Sequence, residues 1–101
     1  MNMVTLKLSY LNSCTWVPEL LNLARDKYPL LDIQVFNEDS IKERKKAFAL
    51  KNTWATRMSP FAILISDDIP IKAFYSEDGG CTLDNILNTL NSFIVYGSKN
   101  N

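Results

Sequence analysis

A chain of 101 residues is the size of one ordinary domain, long enough to bury a core without metal or disulfide staples. Its 11 Lys and Arg cancel its 11 Asp and Glu, which leaves no electrostatic footprint for nucleic acid or an anionic membrane surface. There is no histidine and there are only two cysteines, so the commonest general base is missing and neither a zinc site nor a disulfide framework is expected.

The opening segment MNMVTLKLSYL lacks the cationic start and long apolar centre of a signal peptide, and no apolar run approaches the length of a membrane span. The expectation is a cytoplasmic protein whose thiols stay reduced. Val4, Leu6 and Leu8 alternate with Thr5, Lys7 and Ser9, the period of a half-buried strand. From Trp16 to Tyr28 the period changes: Val17, Leu20, Leu21, Ala24 and Tyr28 share one helical face, and Pro29 stops the helix. Leu31, Ile33 and Val35 alternate again and predict a second strand.

Ser40-Ile41-Lys42-Glu43 reads as a capping box that opens a helix from about Ile41 to Lys51. Ile41, Ala47, Phe48 and Leu50 would form its apolar face, and the charged run Lys42 to Lys46 its solvated one. The unbroken run Phe61-Ala62-Ile63-Leu64-Ile65 fits a strand covered on both faces. Ser66-Asp67-Asp68 is a turn, and Ile69 to Tyr75 a strand antiparallel to the last, placed at an edge by Pro70. Ile69, Ile71, Ala73 and Tyr75 fall on one of its faces. Asp78-Gly79-Gly80 breaks that strand, Thr82 is the expected N-cap, and Leu83, Ile86, Leu87, Leu90 and Ile94 mark a final helix that Gly97 should end.

The order is β-α-β-α-β-β-α, an α/β domain over residues 1–97 followed by a frayed tail at 98–101. Two strands joined through a helix should be parallel by a right-handed crossover. The last two strands form a hairpin, and helices must cover both faces of the four-stranded mixed sheet.

This order resembles the thioredoxin-like fold in its smallest form, closest to glutaredoxins and thioredoxins. Three places carry the resemblance. Cys14 lies between the first strand and first helix, where that family carries its active thiol. Ser59-Pro60, just ahead of FAILI, is similar to the family's cis-proline. Gly79-Gly80-Cys81 before the last helix is similar to the glycine pair of glutaredoxins, although its distance from Pro60 is nearer that of thioredoxins. The resemblance implies Cys14 as nucleophile, Ser59 and Pro60 as a clamp on the substrate backbone, and Trp16 and Arg57 as walls of the groove. It implies no bound cofactor, glutathione as a candidate co-substrate, and protein or glutathione disulfides as partners.

The sequence departs from the family where the second cysteine should stand. The run is Cys14-Thr15-Trp16-Val17, so no disulfide can form within the motif, and what remains is a one-cysteine route. A helix beginning near Thr15 would place Cys14 among unpaired amides that favour a thiolate. No Lys, Arg or His lies between Leu8 and Leu20, which leaves Arg57 as the candidate cation. Against this stands the plainer reading of Cys14 as a small semi-buried filler. Cys81 is either packing under the last helix or a resolving thiol, and Trp16 either a lid or core. The carboxylates Asp67, Asp68, Glu77 and Asp78 read as solvated turns. Two functions remain: a single-cysteine oxidoreductase, or a redox-inactive thioredoxin-like module that binds a protein partner.

Overall fold

The computed structural model describes residues 3–98. Strand β1 (Val4–Tyr10) is followed by helix α1 (Val17–Lys27), strand β2 (Asp32–Asn37), helix α2 (Arg44–Thr53), strands β3 (Phe61–Ser66) and β4 (Ile69–Tyr75), a single 3-10 turn (Ser76–Asp78) and helix α3 (Leu83–Ser98). The strands form one four-stranded sheet in the order β2-β1-β3-β4. β1 and β2 are parallel, with Leu6 opposite Ile33 and Leu8 opposite Val35. β1 and β3 are antiparallel, with Leu6 opposite Leu64 and Leu8 opposite Ala62, and β3 and β4 form the expected hairpin. This is the mixed α/β sheet that the resemblance implies.

The strand period of two decides what each face receives. Leu6 and Leu8 of β1 and Ala62 and Leu64 of β3 bury themselves against Val17, Leu20 and Ala24 of α1 and Ile86 and Leu90 of α3. The opposite face carries Lys7 and Ser9 of β1 and Phe61 and Ile63 of β3, and α2 lies across it through β1 and β2. β3 is thus covered on both faces, as its unbroken apolar run predicts.

The hairpin turns on Asp67 and Asp68, at φ 50° and 67°. Two consecutive left-handed residues make the type I′ turn whose twist matches the strands, and aspartate tolerates that conformation better than most side chains. Asp67 also accepts from the Met3 amide at 2.9 Å while its own amide donates to the Met3 carbonyl at 2.9 Å, so the turn is fastened to the start of β1. Pro70 lies in β4, an edge strand. On β4 Ile69 and Ile71 are exposed and Phe74 is the residue buried, because the side of β4 that meets the α3 cluster is the Phe74 side.

The helix ends also differ from expectation. α2 begins at Arg44, with Glu43 at the cap position and no side-chain cap. Ser40 contributes its carbonyl, which accepts from the Arg44 amide at 2.8 Å. The Glu43 carboxylate accepts instead from the Asn37 amide at 3.3 Å, so the capping box never closes, and Ile41 is left 88 % exposed. On α1 the cap position is Trp16, not Thr15, again without a side-chain cap. Thr82 does cap α3, accepting from the Asn85 amide at 3.2 Å. α3 continues through Gly97 to Ser98; a glycine weakens a helix by about 1 kcal/mol without forbidding it. The rest of the expected tail, 99–101, lies outside the described residues.

Leu20 is fully buried between α1 and the sheet. Leu20→Ala should lower unfolding stability by about 2–5 kcal/mol, read from the urea midpoint at unchanged slope.

Candidate functional site

The site sits at the end of the sheet where β1 and β2 finish and β3 begins. After Tyr10 the chain makes a tight turn: the Cys14 amide donates to the Leu11 carbonyl at 2.9 Å, and the Val17 amide donates to the Cys14 carbonyl at 3.3 Å. Cys14 therefore stands two residues ahead of the α1 cap, at the helix head. This turn is held by the loop after β2. The Asn12 amide donates to the Asp39 carboxylate at 2.7 Å, and the Asn37 side-chain amide donates to the Asn12 side chain at 2.7 Å.

Ser59 and Pro60 reach the same end from β3. The peptide bond between them is cis, and the next residue, Phe61, pairs with Ser9 of β1. The Pro60 carbonyl accepts from the Ser76 hydroxyl at 2.5 Å. Among the described residues the main-chain N–H and carbonyl of Ser59 meet no partner.

Behind this loop lies a buried ion pair that sequence reasoning missed. Lys51 Nζ meets Glu38 Oε1 at 2.7 Å, with both side chains 6 % exposed. The ammonium also donates to the Arg57 carbonyl at 3.1 Å and to Ser59 Oγ at 2.9 Å, which uses all three of its donors. The other carboxylate oxygen of Glu38 accepts from the Ser9 hydroxyl at 3.3 Å and from the Ser59 hydroxyl. The only advance signal is Lys51 itself, one turn after Ala47 on the buried side of α2. Nothing in the sequence names its partner.

The electrostatics of Cys14 run opposite to the sequence expectation. Cys14 is half-buried. Burial is the largest influence and pushes its thiol up, a backbone hydrogen bond from Leu11 opposes this, and the Glu38 charge adds to the rise. Arg57 is not the cation that offsets it: its side chain is exposed and its carbonyl is occupied by Lys51. The physical reason is that the carboxylate, not the guanidinium, was folded toward the sulfur. Trp16 and Cys14 both pack against the α1–sheet–α3 core. Val17, where the family pattern has its second sulfur, is fully buried.

Cys81 is buried in the same cluster against which Cys14 packs. Burial raises its thiol most, the neighbouring Cys14 next, a backbone hydrogen bond from Ala62 opposes them and Asp78 adds a little, bringing it to about 12. Both cysteines are free. Among the described residues no three Cys, Asp or Glu side chains gather as a metal site, and no helix is long and apolar enough to cross a membrane.

The Cys81 thiol gives a signed pH dependence. It ionises at 9.0 when unfolded and about 12 when folded. Between those values the unfolded chain loses a proton that the folded chain keeps, so stability falls as pH rises through that window and is unaffected below it. In Cys81→Ala this part of the alkaline decline should vanish, as measured by urea unfolding across the pH series.

No family model matches the chain, and no curated protein matches its sequence. Solved structures do match its backbone. Thioredoxin O2 from Arabidopsis thaliana, in its oxidised state, superposes with a TM-score of 0.69 over 90% of this chain and 75% of its own, at 7% identity. Thioredoxin f2 from Chlamydomonas reinhardtii gives 0.62 over 91% and 80%, at 18% identity. The structure of ferredoxin:thioredoxin reductase in complex with thioredoxin f2 gives 0.61 over 89% and 76%, at 12% identity. Element order, sheet order and these superpositions agree: the chain has the thioredoxin-like fold.

Proposed function

We propose that this chain is a small thiol–disulfide oxidoreductase of the thioredoxin/glutaredoxin type that works through one sulfur, Cys14. The observation that carries the reading is the arrangement at the end of the sheet: a half-exposed thiol at a helix head, sharing that end with a loop whose Ser59 main chain is unpaired among the described residues. An extended disulfide substrate would lie along that loop by pairing its backbone with Ser59, in the manner of an added strand. Trp16 and Arg57 would flank it, Pro60 would set the loop's direction, and no bound cofactor is needed.

The chemistry is thiol–disulfide exchange. The Cys14 thiolate attacks the glutathione sulfur of a protein–glutathione disulfide. A Cys14–glutathione disulfide forms, the protein–glutathione bond breaks, and the departing protein thiolate takes a proton. A second glutathione thiolate then attacks the bound one, which leaves as oxidised glutathione and returns the Cys14 thiolate. The net reaction consumes one free glutathione thiol, which leaves joined to the substrate's own glutathione as oxidised glutathione, while the substrate protein thiol is released reduced. Alternatively Cys81 resolves the intermediate: it attacks Cys14, expels glutathione and forms a Cys14–Cys81 disulfide that an external dithiol reduces. Partners are thus protein or glutathione disulfides in the cytoplasm. The complex of thioredoxin f2 with ferredoxin:thioredoxin reductase illustrates a protein partner for such a fold.

One observation favours a second reading. A thiol pushed up by burial and by Glu38 carries little thiolate near neutral pH, as in a redox-inactive module that binds a protein. Reduction of a peptide–glutathione disulfide by excess glutathione separates the two. The oxidoreductase predicts catalysis that rises with pH, is abolished in Cys14→Ser, and persists in Cys81→Ser unless Cys81 resolves. A wild-type rate equal to that of Cys14→Ser at every pH leaves only the binding module.

A further inference from the structure

Burying an ion pair is not a cheap way to stabilise a domain. Desolvation offsets most of the attraction, and apolar side chains of the same size often do as well. The Lys51–Glu38 pair therefore calls for an account beyond stability. Its location supplies one. Glu38 follows β2, Lys51 lies near the end of α2, and Ser59 and Arg57 belong to the loop entering β3. The pair ties these three segments together through side-chain oxygens and one main-chain carbonyl. Ser9 adds β1, and the Arg44 guanidinium holds the Glu38 carbonyl at 2.9 Å. Every donor of the ammonium and both oxygens of the carboxylate are engaged.

We infer that Lys51 is a positioning residue for the Cys14 site: it fixes the Ser59–Pro60 loop and compensates the buried carboxylate of Glu38. This rests on the reading of Cys14 as the working thiol. Asp39 reaches the Cys14 turn, where its carboxylate accepts from the Asn12 amide at 2.7 Å. Glu38 acts on the sulfur from the end of β2 and Cys81 adjoins it from the start of α3. The first turn of α1 brings only Glu19. Glu43, ahead of α2, acts on Tyr10 instead, and the Arg57 side chain is exposed. Removing the ammonium leaves the Glu38 charge uncompensated. The thiolate then forms less readily. Replacing Glu38 by its neutral amide does the reverse.

The test is the pH profile of Cys14 alkylation by iodoacetamide, followed on the full chain by mass of the Cys14 peptide. Lys51→Met should move the midpoint up and Glu38→Gln should move it down, each by about 0.5–1 pH unit. Lys51→Arg should keep the wild-type midpoint, and Glu38→Gln with Lys51→Met should fall at or below wild type. Should Lys51→Met fail to fold, Glu38→Gln, which keeps the shape and one hydrogen-bonding oxygen, carries the test alone. A purely structural pair would lower the melting temperature while leaving every midpoint in place, and that result overturns the inference. Alkylation requires only the sulfur, so shifted midpoints with no disulfide reductase activity would retain the electrostatic role and reject the enzymatic reading.

Discussion

The Lys51–Glu38 contact, 2.7 Å long and closed to solvent, is the constraint on which the Cys14 end of the sheet depends. The helical face and the sheet edges can be assembled from apolar burial alone. The loop carrying Ser59 and Pro60 cannot, because its neighbours are polar. It is held by a hydroxyl and a carbonyl bonded to one ammonium, and by the Ser76 and Thr56 hydroxyls on the strand-end side. A buried charge without its partner costs several kcal/mol, so the two residues enforce each other's position. They thereby enforce the position of the loop between α2 and β3.

That loop gives the lone sulfur its setting. Cys14 is carried by the turn between β1 and α1, and this turn is fastened to the loop after β2 by Asn12, Asn37 and Asp39. Two polar networks thus meet at one end of the sheet, both through the segment Asn37–Asp39. Between them the apolar core contributes Val17 in place of a second motif sulfur and Cys81 as a buried neighbour. The environment holds the thiol protonated more firmly than a free cysteine.

Much of the architecture was legible because it is local. The alternation at Val4, Leu6 and Leu8, the apolar run at Phe61–Ile65 and the spacing from Leu83 to Leu90 each state a period, and a period states which face is buried. Ser40 to Glu43 does not form the capping box its sequence spells, for a reason equally physical. The motif is local, but the carboxylate had a competing partner in the Asn37 amide, set by where β2 ends. Alternation puts Ile69, Ile71, Ala73 and Tyr75 on one face but does not say how much of it is covered: Ile69 and Ile71 are exposed, since an edge strand's burial depends on which helix reaches it. The adjacency of Cys14 and Cys81 was available only through resemblance to a known fold. Glu38 and Lys51 were not available at all, since ion pairing across a tertiary fold leaves no trace in spacing.

The most direct test is to ask which sulfur oxidised glutathione finds. The native chain should be incubated with the disulfide at mildly alkaline pH and the adduct mapped by peptide mass. The account predicts one glutathione on Cys14, formed with release of one reduced glutathione, with no Cys81–glutathione adduct. A chain that takes up no glutathione at Cys14, or takes it up first at Cys81, would contradict it.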